Sequence, residues 1–172
     1  ANDGVFNIEG GSWYKADNFR LTYLGSHLVL NEANALDCEA GKYSTVALTR
    51  TIKANTWSTF VVPFDIPEVG EWKVMELTGA ENNDGHVTLS FEKRTEVKAG
   101  VPYMVRYTAD WNLFEATNAE VVTAVKPVTV DGVTFNGTFV PGVVPTGAFF
   151  INANNFYQAD GTNNIKAYRG YF

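Results

Sequence analysis

The sequence predicts an all-β fold, an antiparallel β-sandwich of jelly-roll-like or Ig-like type. Long stretches alternate apolar and polar residues with a period of two, the repeat of a half-buried strand. Three Asp-Gly pairs, 84–85, 131–132 and 160–161, fall near or between apolar runs, where glycine supplies the positive φ of a tight hairpin turn. The 12 Phe, 8 Tyr and 4 Trp, with many Val and Thr, suit pleated surfaces better than helices.

Taken in order, residues 12–24 alternate first. Trp13, Phe19, Leu21 and Tyr23 share one face, and Tyr14, Asn18, Arg20 and Thr22 the other. Residues 43–52 alternate again, with Val46, Leu48, Arg50 and Ile52 on one side. The apolar run 57–64, stopped by Pro63 and Pro67, predicts a core strand with Trp57 inside it. Residues 72–77 and 86–91 flank Asp84-Gly85, and 101–107 follow the turn Lys98-Ala99-Gly100. Residues 128–130 and 133–140 flank Asp131-Gly132, and strands at 149–151, 155–157 and 165–171 complete the set. One or two helical turns are expected at 31–40 and at 118–124. The polar, weakly patterned stretch 26–42 reads as a linker between a β-piece at 1–25 and a β-sandwich module at 43–172. A piece of 25 residues is too small to bury its own apolar face, so it must pack on the module or belong to a neighbour.

Composition excludes several functions. A formal net charge of −6 without a Lys/Arg cluster argues against nucleic acid and against an anionic membrane surface. No apolar run approaches the roughly 18 residues of a membrane span, so no membrane insertion is expected. Cys38 is the only cysteine, which rules out an intrachain disulfide and a cysteine zinc cluster. The start Ala1-Asn2-Asp3-Gly4 has no signal-peptide character, and both ends read as the edges of a piece of a larger secreted protein.

Two resemblances add to this. Leu48-Thr49-Arg50-Thr51-Ile52-Lys53-Ala54, Trp57-Ser58-Thr59 and Val62-Pro63-Phe64 match an opening of the form LxRTxKAxxWxTxxxPF. Ala99-Gly100-Val101-Pro102-Tyr103-Met104-Val105-Arg106 matches a following AGxPYxxR/K strand, and residues 165–172 a closing one. Together they resemble a module found near the C-termini of large secreted proteins of gut-type Bacteroidota, from about residue 30 to the end. That resemblance implies architecture and a secreted or cell-surface location. Ser12-Trp13-Tyr14-Lys15-Ala16-Asp17-Asn18-Phe19-Arg20-Leu21 resembles the last strand of jelly-roll carbohydrate-binding modules, in which an aspartate at the place of Asp17 ligates a structural calcium.

Catalysis is not expected. A nucleophilic triad would need His27, in the linker, or His86, at a hairpin turn. Glu71, Glu76 and Glu92 at strand ends are the carboxylates from which a glycosidase pair would have to come, and nothing singles them out. Gly10-Gly11 lacks the Lys-Ser/Thr of a phosphate loop. The Asn- and Asp-rich turns 82–84 and 160–164 have turn chemistry and no EF-hand spacing. No metal and no cofactor is therefore expected.

The aromatic residues carry the functional reading. Sugars stack flat C–H faces on rings, and polar side chains complete the hydroxyl hydrogen bonds. Trp111 lies in the polar stretch 108–112 between Asp110 and Asn112, Trp72 opens a strand, Trp13 begins the first strand, and Tyr157 has Asn154, Asn155, Gln158 and Asp160 nearby. Each ring is either a ligand platform or a lid folded back on the core. Trp111 is the best single candidate for a platform, borne on a loop because strand interiors are occupied by packing. The expected function is a monomeric, non-catalytic accessory module binding polysaccharide of glucan, mannan or xylan type for a parent glycan-degrading protein. The alternative is a structural spacer with no ligand, touching only the other domains of the parent.

Overall fold

The computed structural model describes residues 26–172. Trp13, Asp17 and the alternating stretch 12–24 lie outside the described residues.

In chain order the strands are β1 (His27–Asn31), β2 (Gly41–Ile52), β3 (Ser58–Phe60), β4 (Lys73–Asn83), β5 (His86–Arg94), β6 (Tyr103–Arg106), β7 (Trp111–Val121), β8 (Val128–Val130), β9 (Val133–Thr138), β10 (Gly142–Val143), β11 (Phe149–Asn152), β12 (Asn155–Gln158), β13 (Asn164–Ile165) and β14 (Arg169–Tyr171). They form sheets of order β1-β2-β7, β3-β6-β4-β5 and β14-β9-β8, with two-stranded ribbons β10-β13 and β11-β12. No helix occurs among the described residues. The fold is all-β and its sheets are antiparallel except for one parallel pair, His27–Asn31 beside Thr45–Thr49.

Of the Asp-Gly pairs at 84–85, 131–132 and 160–161, the first two make hairpins. Asp84-Gly85 joins β4 to β5 with φ of 52° and 83°, and Asp131-Gly132 joins β8 to β9 with 47° and 83°. Both residues of each turn sit at positive φ, the form whose twist matches the strands. Asp160-Gly161 instead lies in the loop after β12, where the Asp160 carboxylate accepts from the Thr162 amide at 2.9 Å and its hydroxyl at 2.7 Å. The hairpin next to it, β11–β12, turns on Ala153-Asn154 at φ 46° and 67°.

The four-stranded sheet feeds two apolar clusters. Tyr103 and Val105 of β6 join Phe60, Val74, Val46, Leu48, Ile52 and Val121 in one. Met104, between them, joins Leu77 and Phe135 in the other, along with Met75 and Phe172. Consecutive residues of β6 are thus all buried, 2%, 6% and 1% exposed, because both faces of that strand are covered.

Three expectations need correction. The stretch 26–42 carries β1, whose Leu30 enters the first cluster, and Glu32 is buried. It is part of the packed structure. Residues 31–40 end β1 and continue as a turn and irregular chain rather than helix: the Asn31 side chain accepts from the Ala33 amide at 2.8 Å, and the Leu36 amide reaches the Phe139 carbonyl. Side-chain capture of a backbone N–H competes with the helical ladder. Asn118 to Val121 belong to β7, where Ala119 and Val121 alternate inward against Tyr43 and Gly41.

Candidate ligand-binding surfaces

Trp72, Tyr107 and Trp111 converge from three parts of the chain. Trp72 precedes β4, held by its amide to the Val69 carbonyl at 3.1 Å. Tyr107 follows β6, and Trp111 opens β7 opposite Ile52 after a register shift in β2. The Trp72 and Tyr107 rings stack with centroids 4.7 Å apart and planes within 3°. Trp111 stands edge-on to both, 5.9 Å from Trp72 and 5.8 Å from Tyr107. Phe114 lies beneath Trp72 in the first cluster. Trp111 is 42% exposed, so one side of its ring meets solvent. It is a strand residue at a sheet edge, not the loop residue expected, and its indole N–H donates to the Leu113 carbonyl.

Polar groups border this patch. A cleft of about 140 Å³ is lined by Asn55, Glu71, Lys73, Arg106, Tyr107 and Thr108. Asp110 is already committed: it accepts from the Ala54 amide at 2.8 Å and from Lys53 Nζ at 2.9 Å. Those two bonds, the amide first, hold its carboxyl below the usual aspartate range. Asn112 stays exposed.

Tyr157 lies in a different place. On β12 it faces its cross-strand partner Phe150, with centroids 5.8 Å apart and planes at 26°. Trp57, expected in the core, is half-buried: its amide donates to Asn154 Oδ1 at 2.7 Å, and the Arg106 guanidinium sits 6.0 Å from its ring. It borders an apolar groove with Met75, Phe91, Met104, Ile151 and Phe156.

A charged cluster was not singled out from the sequence. Glu32, buried after β1, accepts from Lys166 Nζ at 2.9 Å and Arg169 Nη2 at 2.6 Å. Burial pushes its carboxyl up, but the Lys166 hydrogen bond and the charges of Arg169 and Lys166 outweigh that and leave it below the usual glutamate range. Arg50 is fully buried; one terminal nitrogen donates to the Thr59 carbonyl, and Nε and Nη1 have no partner among the described residues. Burial, then repulsion from Arg169, pushes it well below the usual arginine range, while Glu32 opposes them. An arginine starts so far above neutrality that it stays charged. The available signal was an arginine on the apolar face Val46-Leu48-Arg50-Ile52.

Of the candidate carboxylates, Glu71 lines the cleft of about 140 Å³. Glu76 and Glu92 sit opposite each other on β4 and β5, and Arg94 bridges them at 2.6 Å and 2.8 Å. His27 Nδ1 bonds the Thr45 hydroxyl, and His86 pairs with Asn83 beside the hairpin turn. Among the described residues, no group of three or more His, Cys, Asp or Glu converges as a metal site would require, and no helix is long and apolar enough to cross a membrane.

No family model, curated protein or solved structure matches this chain.

Proposed function

We propose that the chain is a non-catalytic carbohydrate-binding module of a larger secreted or cell-surface glycan-degrading protein, acting as a monomer. The half-exposed Trp111 ring, braced edge-on by Trp72 and Tyr107 beside a polar cleft, carries this reading. A rigid ring binds a pyranose face without losing side-chain freedom on binding, and Asn55, Lys73 and Arg106, which line the cleft with Tyr107, offer hydrogen bonds to hydroxyl groups. Trp72, half-buried, acts as a brace for the platform. The facing of β1-β2-β7 and β3-β6-β4-β5 across one apolar cluster supports a sandwich of jelly-roll-like or Ig-like type. A non-catalytic role is supported by Arg94, which ties Glu76 to Glu92 through two ion pairs, where a glycosidase pair would leave its carboxyls free on either side of a glycosidic bond.

One observation favours the spacer: the Trp111 N–H is satisfied within the chain, as in a ring that merely caps a sheet end. Gel retardation with soluble glucans, mannans and xylans separates the two. Retention by one polysaccharide that is lost in Trp111→Ala supports the module. No retention by any of them, or retention unchanged in Trp111→Ala, sinks the platform.

A further inference from the structure

We propose a second binding site, for an anionic sugar ring bearing a carboxylate or sulfate ester, in the cavity between Phe150, Asn152, Asn164, Lys166 and Arg169. The choice of a sugar rests on the glycan-binding reading; the choice of an anion rests on the charges at this place alone.

The charges come first. Lys166 and Arg169 border the cavity and share one carboxylate, Glu32. Arg50 lies directly behind the wall, donating to the carbonyl of Thr59, itself a lining residue. Three cations thus surround one anion in a chain whose formal net charge is −6. Among the described residues neither Lys166 nor Arg169 has another acidic partner, and Arg169 commits only Nη2 to Glu32. Cations held in a partly desolvated place gain from each added counter-charge, and a guanidinium fork matches carboxylate and sulfate oxygens.

The lining then restricts what brings that charge. The cavity holds about 320 Å³, at the lower end of small-molecule sites and suited to one or two sugar units. Ser58, Asn152 and Asn164 offer both donors and acceptors, as ring hydroxyls need. Phe150, backed by its stack on Tyr157, supplies an apolar wall for a C–H face. A bare inorganic anion makes no use of that wall. Tyr157 thereby gains a role different from the one expected of it, as the support of Phe150.

The walls are fixed before any ligand arrives. The Gly170 amide donates to the Thr59 hydroxyl at 2.8 Å, and Asn154 in the β11–β12 turn anchors the Trp57 amide. A prebuilt site loses little order on binding.

The test is a titration of the ¹⁵N-labelled chain followed by amide shifts, at constant ionic strength. The probes are sodium glucuronate, glucose 6-sulfate, glucose and sodium acetate. At least one of the two acidic sugars should give saturable shifts at Asn152, Asn164 and Gly170, and the one that does names the charged group. Glucose and acetate should bind about tenfold more weakly, the worth of one charge-assisted hydrogen bond. Lys166→Gln, on a largely exposed side chain, and Asn152→Ala, away from Glu32, should each weaken the acidic sugar severalfold and leave Tm within a few degrees. Trp111→Ala should leave this binding unchanged. That result, beside absent neutral-glycan retention, removes the Trp111 platform and keeps this site. No saturable shifts with either acidic sugar, equal binding of glucose or acetate, or unchanged affinity in Lys166→Gln would overturn the proposal.

Discussion

Glu32→Gln removes the one anion among Arg50, Lys166 and Arg169 while keeping the size of the side chain and one acceptor oxygen. Lys166 is 58% exposed, so its pair contributes at most about 1 kcal/mol. Arg169 is 28% exposed and the Glu32 side chain only 9%. Stripping the partner from a buried pair costs about 3–5 kcal/mol. Partial exposure of Arg169 and the surviving amide oxygen reduce the expected loss to about 2–3 kcal/mol. At roughly 2–4 °C per kcal/mol for a chain of this size, Tm should fall by about 4–12 °C at pH 7. Calorimetry or urea unfolding reads this directly.

The same carboxylate gives the experiment a second axis. Its pKa in the folded chain lies below the usual glutamate value, so its contribution is complete at neutral pH. It begins to fade near the unfolded glutamate value of about 4.3 and is lost as pH falls through the lower folded value. The stability gap between the native chain and Glu32→Gln should therefore be constant from pH 7 to 5 and close below about 4.3. A gap under about 0.5 kcal/mol at pH 7, or one that does not narrow in acid, refutes the view that Glu32 stabilises a buried cluster of cations.

Other substitutions test the packing. Trp111→Ala should cost about 1–2 kcal/mol, from its edge contacts with Trp72 and Tyr107, whereas Trp72→Ala, which also removes packing on Phe114, should cost about 3–5; equal losses in urea unfolding would contradict the brace-and-platform arrangement. Gly170→Ala should destabilise by about 1–3 kcal/mol or more, because a Cβ there meets the Asn136 carbonyl and comes within 2.8 Å of the Phe135 ring, and an unchanged Tm would show that the β14–β9 contact yields easily. Burial raises the Cys38 thiol, so it should alkylate more slowly at pH 8 in the folded chain than in urea.

The sequence made most strands legible and few of their neighbours. Alternation placed 43–52, and Asp-Gly chemistry placed the β4–β5 and β8–β9 turns, since both signals are local. The β11–β12 turn had no such mark: Ala153 and Asn154 take positive φ because the flanking strands and the Trp57 amide hold them there. In the sequence β1 reads as linker because His27–Asn31 is short and polar residues crowd in after it. Its identity comes from a parallel partner, Thr45–Thr49, that no local pattern announces. Trp72 and Trp111 were each visible as candidates, but their meeting depends on a register shift in β2 and on the chain leaving β6 at Tyr107. Tyr157 sits in a separate hairpin for the same reason: pairing across the fold, not spacing along the chain, decides which rings share a surface.

Several residues of the stretches that carry the family resemblance tie distant parts of the chain together. Arg50 of the opening motif donates to the Thr59 carbonyl, and Gly170 of the closing strand donates to the Thr59 hydroxyl. The Val61 amide reaches the Tyr168 carbonyl, and the Ala167 amide reaches that of Glu32. Tyr168, fully buried at φ 61°, holds a conformation costly for a bulky side chain, which persists only where its surroundings over-determine it. Segments more than a hundred residues apart are therefore locked through one threonine and one buried arginine. Arg50, Thr59, Tyr168 and Gly170 thus specify a frame. Of the residues in the two proposed sites, Trp111, Tyr107, Phe150 and Asn152 lie outside the matched stretches, and Ser58, Arg106, Lys166 and Arg169 lie within them. Substitutions at Arg50 and Thr59 should therefore act on stability first and on binding only as the frame loosens, while substitutions at Trp111, Tyr107, Phe150, Asn152 or Lys166 should change what is bound on an intact frame.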